Sequence, residues 1–231
     1  SHSLVFRSSV VDTSATPLSL RVYAETQADC ADDAPRGLFM NYMFADSDLE
    51  PDLLAQVQQL RQVSDATVLL FLDRRNDIAD PDVVLPDLRD CDANAYPGTP
   101  HGALLLQARA GALVVLERLA EPNMDDPRVL RAFVEDGVRR YSRATWRALA
   151  VAAHGSGYNL FGGDELPSNT ATPRVRTYIA AVREALQASG VARLQGFGFD
   201  ACTMQHVGVL DLLSDPAPLA DHVLASEDLI P

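Results

Sequence analysis

Short apolar blocks alternate along the chain with stretches that carry helical spacing. The blocks are Gly37–Phe44, Thr67–Leu72, Ala112–Leu116, Ala148–Ala153, Leu194–Phe199 and His222–Ala225. Most are apolar without interruption, the pattern of strands buried on both faces of a parallel sheet. Between the first two, Leu53, Leu54, Val57 and Leu60 share one face of a helix over Pro51–Val63, with Ser47 or Asp48 to cap it. Asp126-Pro127 reads as N-cap and first residue of a second helix, with Leu130, Phe133, Val134, Val138 and Tyr141 inward. Thr172-Pro173 opens a third in the same manner. Its inward stripe is Val175, Tyr178, Ile179, Val182 and Leu186, and Gly190 is its stop.

This alternation predicts an α/β sandwich with helices on both faces of a mostly parallel sheet. Two acidic, turn-rich segments interrupt it. Residues 1–36 read as an irregular N-terminal extension, and residues 73–111 as containing a long insert or loop. No repeat or linker divides 37–231, which reads as one domain.

Composition removes several classes of function. The 231 residues are 47% hydrophobic and 22% charged, enough apolar side chains for a sizeable core. Nineteen basic residues, all Arg, face 32 acidic ones for a net charge of −13. A phosphate-backbone binder needs a basic stripe, so nucleic acid is excluded as a partner. No apolar run approaches the ~18 residues that span a bilayer. Three cysteines, Cys30, Cys91 and Cys202, imply no disulfide framework, and the odd count leaves at least one thiol.

In an open parallel sheet, reactive groups gather beyond the carboxyl ends of the strands. Two of the predicted strands end in such groups. Ala148–Ala153 runs into His154-Gly155-Ser156-Gly157, and Leu194–Phe199 runs into Asp200-Ala201-Cys202. The 48 residues from His154 to Cys202 suffice for one helical crossover, so the two ends can lie side by side. A helix-like segment, Met204 to Leu213, follows Cys202 at once and would favour its thiolate through the helix dipole. A neighbouring imidazole would activate the thiol and pass a proton to a leaving amine. Glycine after the histidine lets backbone N–H groups approach a developing oxyanion. The plain alternatives are an inert buried cysteine and a hydrogen-bonded structural histidine.

Other chemistries lack their framework. His-Gly-Ser-Gly is similar to a lipase oxyanion loop, but no Gly-x-Ser-x-Gly elbow accompanies it. Zinc spacings and phosphate-binding glycine loops are absent from the sequence. His101-Gly102 follows Pro97-Gly98-Thr99-Pro100, not an apolar strand. Cys30 and Cys91 sit among acidic residues, which disfavour a thiolate.

At these residues the chain resembles the clostripain family of cysteine peptidases, within the caspase–legumain–gingipain–separase group. The resemblance is carried in order by Tyr42–Glu50, Asn123–Pro127 with Val129, Leu130 and Phe133, Ala152–Gly157, Gly198–Met204 and Ala225–Pro231. A spacing of about fifty residues from His to Cys also occurs in caspases. The sequence departs from the family at Ala152-Ala153, where members often carry a bulky aromatic and an acid. It also stops at Pro231, where relatives continue, so the expected peptidase domain is truncated at its C-terminus.

The resemblance implies a caspase-like α/β/α fold and a Cys-His dyad of Cys202 and His154. It implies an oxyanion hole from the N–H groups of Gly155 and Cys202. Asp200 corresponds to the acid that pairs a basic P1 side chain, as a carboxylate does with a guanidinium; the plain alternative is a helix cap. Glu227 is the next acid in line for that role. Self-cleavage in the polar loop Phe161–Pro173 is implied too, with Arg174 and Arg176 as the nearest basic residues. The chemistry needs no cofactor; calcium dependence is implied, with no ligand set assigned. Asp46, Asp48 and Glu50 cluster like a calcium site but lack an EF-hand's glycine and spacing, and a solvated acidic turn describes them better. A secreted or extracytoplasmic location is likewise implied. The expectation is a cysteine endopeptidase that cleaves peptides after Arg. Its rivals are a pseudopeptidase that binds a partner and a transpeptidase or ligase using the same dyad.

Overall fold

The computed structural model describes residues 35–75, 85, 88–91, 102–109, 111–157, 161–162 and 174–226. Its centre is β1 (Gly37–Ala45), whose sequence, apolar but for Asn41, is buried on both faces except at half-buried Phe39. Parallel neighbours flank it, β2 (Thr67–Arg74) on one side and β6 (Trp146–Ala152) on the other. β9 (Leu194–Asp200) joins β6 in parallel, and β10 (Ala220–Leu224) joins β9 in the same sense. Beyond β2 the sheet continues through antiparallel β4 (Leu104–Arg109) and β5 (Ala112–Arg118), then β3 (Leu88–Asp90). The strand order is β10-β9-β6-β1-β2-β4-β5-β3. A short hairpin, β7 (His154–Gly155) with β8 (Phe161–Gly162), stands apart from this sheet.

Successive side chains of a strand point to opposite faces, and β1 divides its residues accordingly. Leu38, Met40, Tyr42 and Phe44 enter one core with helices α2 (Pro127–Arg140), α3 (Val175–Ala188) and α4 (Val207–Ser214). Met43 and Ala45 enter a second core beneath α1 (Glu50–Leu60). The first core holds a ring cluster of Tyr42, Phe71 and Phe133, with centroids 5.4–5.8 Å apart. The hydroxyls of Tyr42 and Tyr178 both donate to the Met124 carbonyl, at 3.3 and 3.1 Å. This satisfies the polar ends of two fully buried aromatics.

All six strand blocks read from the sequence are present, and α2 is capped by Asp126, whose carboxylate accepts from the Arg128 N–H at 2.9 Å. Gly190 ends α3 with φ of 69°: its N–H bonds the Gln187 carbonyl and the Val191 N–H the Leu186 carbonyl. Other expectations are corrected. Neither Ser47 nor Asp48 caps α1; the N-cap is Leu49, and the Ser47 hydroxyl accepts from the Leu49 N–H while donating to the Phe44 carbonyl. α3 begins two residues later than expected, at Val175 with Arg174 as its N-cap. Within the 73–111 segment, β3 and β4 join the sheet, two strands that the apolar pattern did not reveal. β4 folds back on β5 through a tight turn with Gly111 at φ of 88°.

Candidate active site

The sheet brings the two expected reactive residues to one edge. In the register of β6 on β9, Ala152 lies opposite Asp200, and the Ala153 N–H donates to the Asp200 carbonyl at 3.2 Å. His154 and Cys202 each come two residues after that pair. Neighbouring strands are ~4.8 Å apart, so the two side chains emerge from adjacent strand ends. The following loops are in contact as well. A Cβ added to Gly155 would stand 2.6 Å from the Cys202 carbonyl oxygen and 2.9 Å from the Ala201 Cβ. Only glycine allows this approach.

The Cys202 loop is held from several sides. Thr203 has φ of 53°, a left-handed conformation that a β-branched residue adopts only under strain of ~1–3 kcal/mol. The Gln205 N–H donates to the Ser226 carbonyl at 2.8 Å, tying the loop to the exit of β10. Arg183 of α3 reaches the Leu212, Leu213 and Ala217 carbonyls at 2.7–3.1 Å and holds the end of α4. One expectation fails in this loop. The helix begins at Val207, not Met204, with His206 as N-cap accepting from the Gly208 N–H at 3.1 Å. Cys202 therefore lies four residues before the cap, beyond the first turn in which the dipole acts. Asp200 does not cap this helix either.

Asp200 ends β9 half-buried, and its carboxylate accepts from Gln56 Nε2 of α1 at 2.5 Å. By strand parity it shares the α1 face with Ala152, which packs in the second core. His154 meets the entry to α1: its Nε2 lies 2.6 Å from Asp48 Oδ1. Neither contact is visible in the sequence, since Gln56 and Asp48 lie far from their partners along the chain. Glu227 falls outside the described residues.

The acidic turn differs from expectation. Asp48 is exposed, but Asp46 and Glu50 are 2% and 0% exposed, not solvated. Glu50 pairs with buried Arg74 at 2.8 Å. Among the described residues, the acidic group able to hold a cation is Asp46, Asp73 and Glu121, with oxygens within 4.8 Å of one another. Only Asp46 of the three acids singled out in the sequence belongs to it.

Cys91 is disulfide-bonded, which removes it as a nucleophile. Cys202 remains a thiol. A cleft of about 480 Å³ opens beside the His154 loop, bordered by Ser156, Gly157, Arg176, His206 and Asp211. Arg176 thus lies in the first turn of α3 and borders this cleft. Arg174 has an extended backbone, and its carbonyl accepts from the N–H and hydroxyl of Thr177 at 2.8 and 2.7 Å. Among the described residues, no helix is long and apolar enough to cross a membrane.

This fold, a mixed and mostly parallel sheet between helical layers, is the caspase-like α/β fold of solved C11 cysteine proteases. A secreted C11 protease from Bacteroides thetaiotaomicron, bound to an irreversible peptide inhibitor, matches at TM-score 0.54 and 19% identity, covering 85% of this chain and 50% of that one. An inactive zymogen C11 protease from Parabacteroides distasonis matches at 0.54 and 17%, covering 86% and 50%. The Bacteroides thetaiotaomicron enzyme iotapain, also secreted, matches at 0.60 and 15%, covering 85% and 54%. The chain therefore spans about half the length of these structures. No family model and no curated protein matches its sequence.

Proposed function

We propose that this chain is a cysteine endopeptidase that cleaves after basic residues, Arg in preference to Lys. The observation that carries the reading is the register of β6 on β9, with His154 and Cys202 following its last pair. The Cys202 thiol gives its proton to the His154 imidazole, and the thiolate attacks the scissile carbonyl carbon. The N–H groups of Gly155 and Cys202 hold the oxyanion. The imidazolium then protonates the leaving amine, the C–N bond breaks, and a thioester acyl-enzyme remains for water to hydrolyse. Asp200 receives the P1 guanidinium, with Glu227 as a second acid. Residues 37–231 belong to the peptidase domain, and 1–36 precede it as an extension.

The disulfide at Cys91 supports an extracytoplasmic location, because such bonds persist in oxidising compartments. Calcium, implied by the family resemblance, finds hard oxygen donors of suitable type in Asp46, Asp73 and Glu121. Its contribution there would be to neutralise buried charge and brace the ends of β1 and β2.

Fluorogenic peptides varied at P1, assayed in reductant with and without calcium, test this reading. Turnover of Arg and Lys substrates, with Arg ahead, is expected. Preference for an acidic or apolar P1, or no cleavage at all, contradicts it. An added amine nucleophile separates hydrolysis from transpeptidation by the product formed.

A further inference from the structure

We infer that Asp48 is a positioning residue for His154, accepting the imidazole Nε2–H and leaving Nδ1 as the nitrogen that exchanges a proton with Cys202. The contact is 2.6 Å from Asp48 Oδ1 to His154 Nε2. An ionised carboxylate can only accept, so the proton at this contact resides on Nε2. Neutral His154 is thereby fixed as the Nε2–H tautomer, with its lone pair on Nδ1. When the thiol proton moves to Nδ1, the S–H bond breaks, the Nδ1–H bond forms, and the new imidazolium faces the Asp48 charge.

Exposure argues against a large effect, and the turn answers that argument. The Asp48 side chain is 76% exposed and that of His154 42%, and such pairs usually lose to side-chain entropy what they gain in attraction. Asp48, however, has its backbone fixed on both sides. Ser47 is buried, with its hydroxyl bonded to the Phe44 carbonyl and the Leu49 N–H, and the Glu50 N–H donates to the Ser47 carbonyl at 3.2 Å. Asp46 and Glu50 are buried, and Glu50 is clamped to Arg74. A short side chain on a fixed turn has little freedom left to lose.

The catalytic consequence rests on the peptidase reading, whereas the tautomer is a property of the folded chain. The test joins the two. ¹⁵N-histidine NMR of the full chain, with His154 assigned from His154→Gln, reads the tautomer, and peptide hydrolysis reads kcat and KM. Wild type and Asp48→Asn, whose amide oxygen still accepts, should carry Nε2–H; Asp48→Ala should show a tautomer mixture. Asp48→Ala should lower kcat roughly tenfold with KM within about twofold, and Asp48→Asn should fall between. An Nδ1–H tautomer in wild type, or an unchanged tautomer in Asp48→Ala, overturns the inference. So does an unchanged kcat. If wild type has no turnover, the peptidase reading fails and the tautomer result alone decides the role of Asp48.

Discussion

Gly155 approaches the carbonyl of Cys202 so closely that a methyl group in place of its α-hydrogen would lie 2.6 Å from the oxygen. The obstacle is backbone on a strained loop, since Thr203 already stands at φ of 53°. Relief would have to displace one strand end from the other. Gly155→Ala is therefore expected to lower stability by roughly 1–3 kcal/mol and to reduce peptide hydrolysis at least tenfold by shifting the oxyanion donors. Thermal melts and kcat/KM check both. Wild-type values for both would show that the loops part without cost.

The Asp200–Gln56 contact yields a prediction about specificity. A guanidinium paired with a carboxylate in a partly desolvated cleft gains ~1.5–3 kcal/mol. Asp200→Asn should lower kcat/KM for Arg substrates by roughly ten- to a hundredfold and leave neutral P1 substrates nearly unchanged. Raising salt should slow all basic substrates modestly by screening the net charge of −13. Equal losses for Arg and neutral substrates in Asp200→Asn would assign this side chain to the scaffold.

Glu117 of β5 sets a pH dependence of stability. Burial pushes its carboxyl up from 4.5 to about 7; nearby Arg140 opposes this, and Asp136 adds to it. Arg140 lies 3.9 Å from Glu117 and bonds Asp136 more closely. The folded chain holds this proton more tightly than the unfolded chain does. Stability from this group is present below pH 4.5 and is lost as pH rises through about 7. The full effect is up to ~3 kcal/mol. Glu117→Gln should flatten that decline and melt higher than wild type at pH 8. Parallel pH profiles of Tm would contradict the assignment.

Self-processing should be slow. The Arg174 carbonyl is bonded twice by Thr177, Val175 is fully buried, and Arg176 is helical, so either bond becomes accessible only when the first turn of α3 opens. Mass spectrometry of long-incubated enzyme should reveal new termini at Val175 or Thr177. A fully active chain that stays intact at both bonds would rule this out.

Local pattern and tertiary contact explain what the sequence revealed. The strand Thr67–Arg74 was legible because residues buried on two faces leave a run of apolar side chains, and Leu194–Asp200 through Leu194 and through Phe197 and Phe199 alternating with glycine. The stripe of α2 and the cap at Asp126 were equally plain. β4 was not, because Leu104–Arg109 ends in polar residues within a turn-rich segment; its three leucines and Gly111 were the available signal. The site followed the same division. His154 and Cys202 advertise themselves at strand ends, whereas Asp48 and Gln56 gain their roles through contacts made across the sheet edge. Acidic spacing alone could not tell exposed Asp48 from buried Asp46 and Glu50, since Glu50, for one, is buried against Arg74 of β2, 24 residues away.

The most direct measurement is reaction of the chain with a peptidyl-arginine chloromethyl ketone, followed by intact mass and peptide mapping. A thiolate displaces chloride and leaves one stable thioether. One adduct per chain is expected, located on Cys202 and formed in step with the loss of peptide hydrolysis. That adduct should be absent from Cys202→Ala and strongly slowed in His154→Ala, with both variants folded and inactive. Hydrolysis that survives Cys202→Ala, or inactivation with the adduct on any other residue, would contradict the peptidase reading.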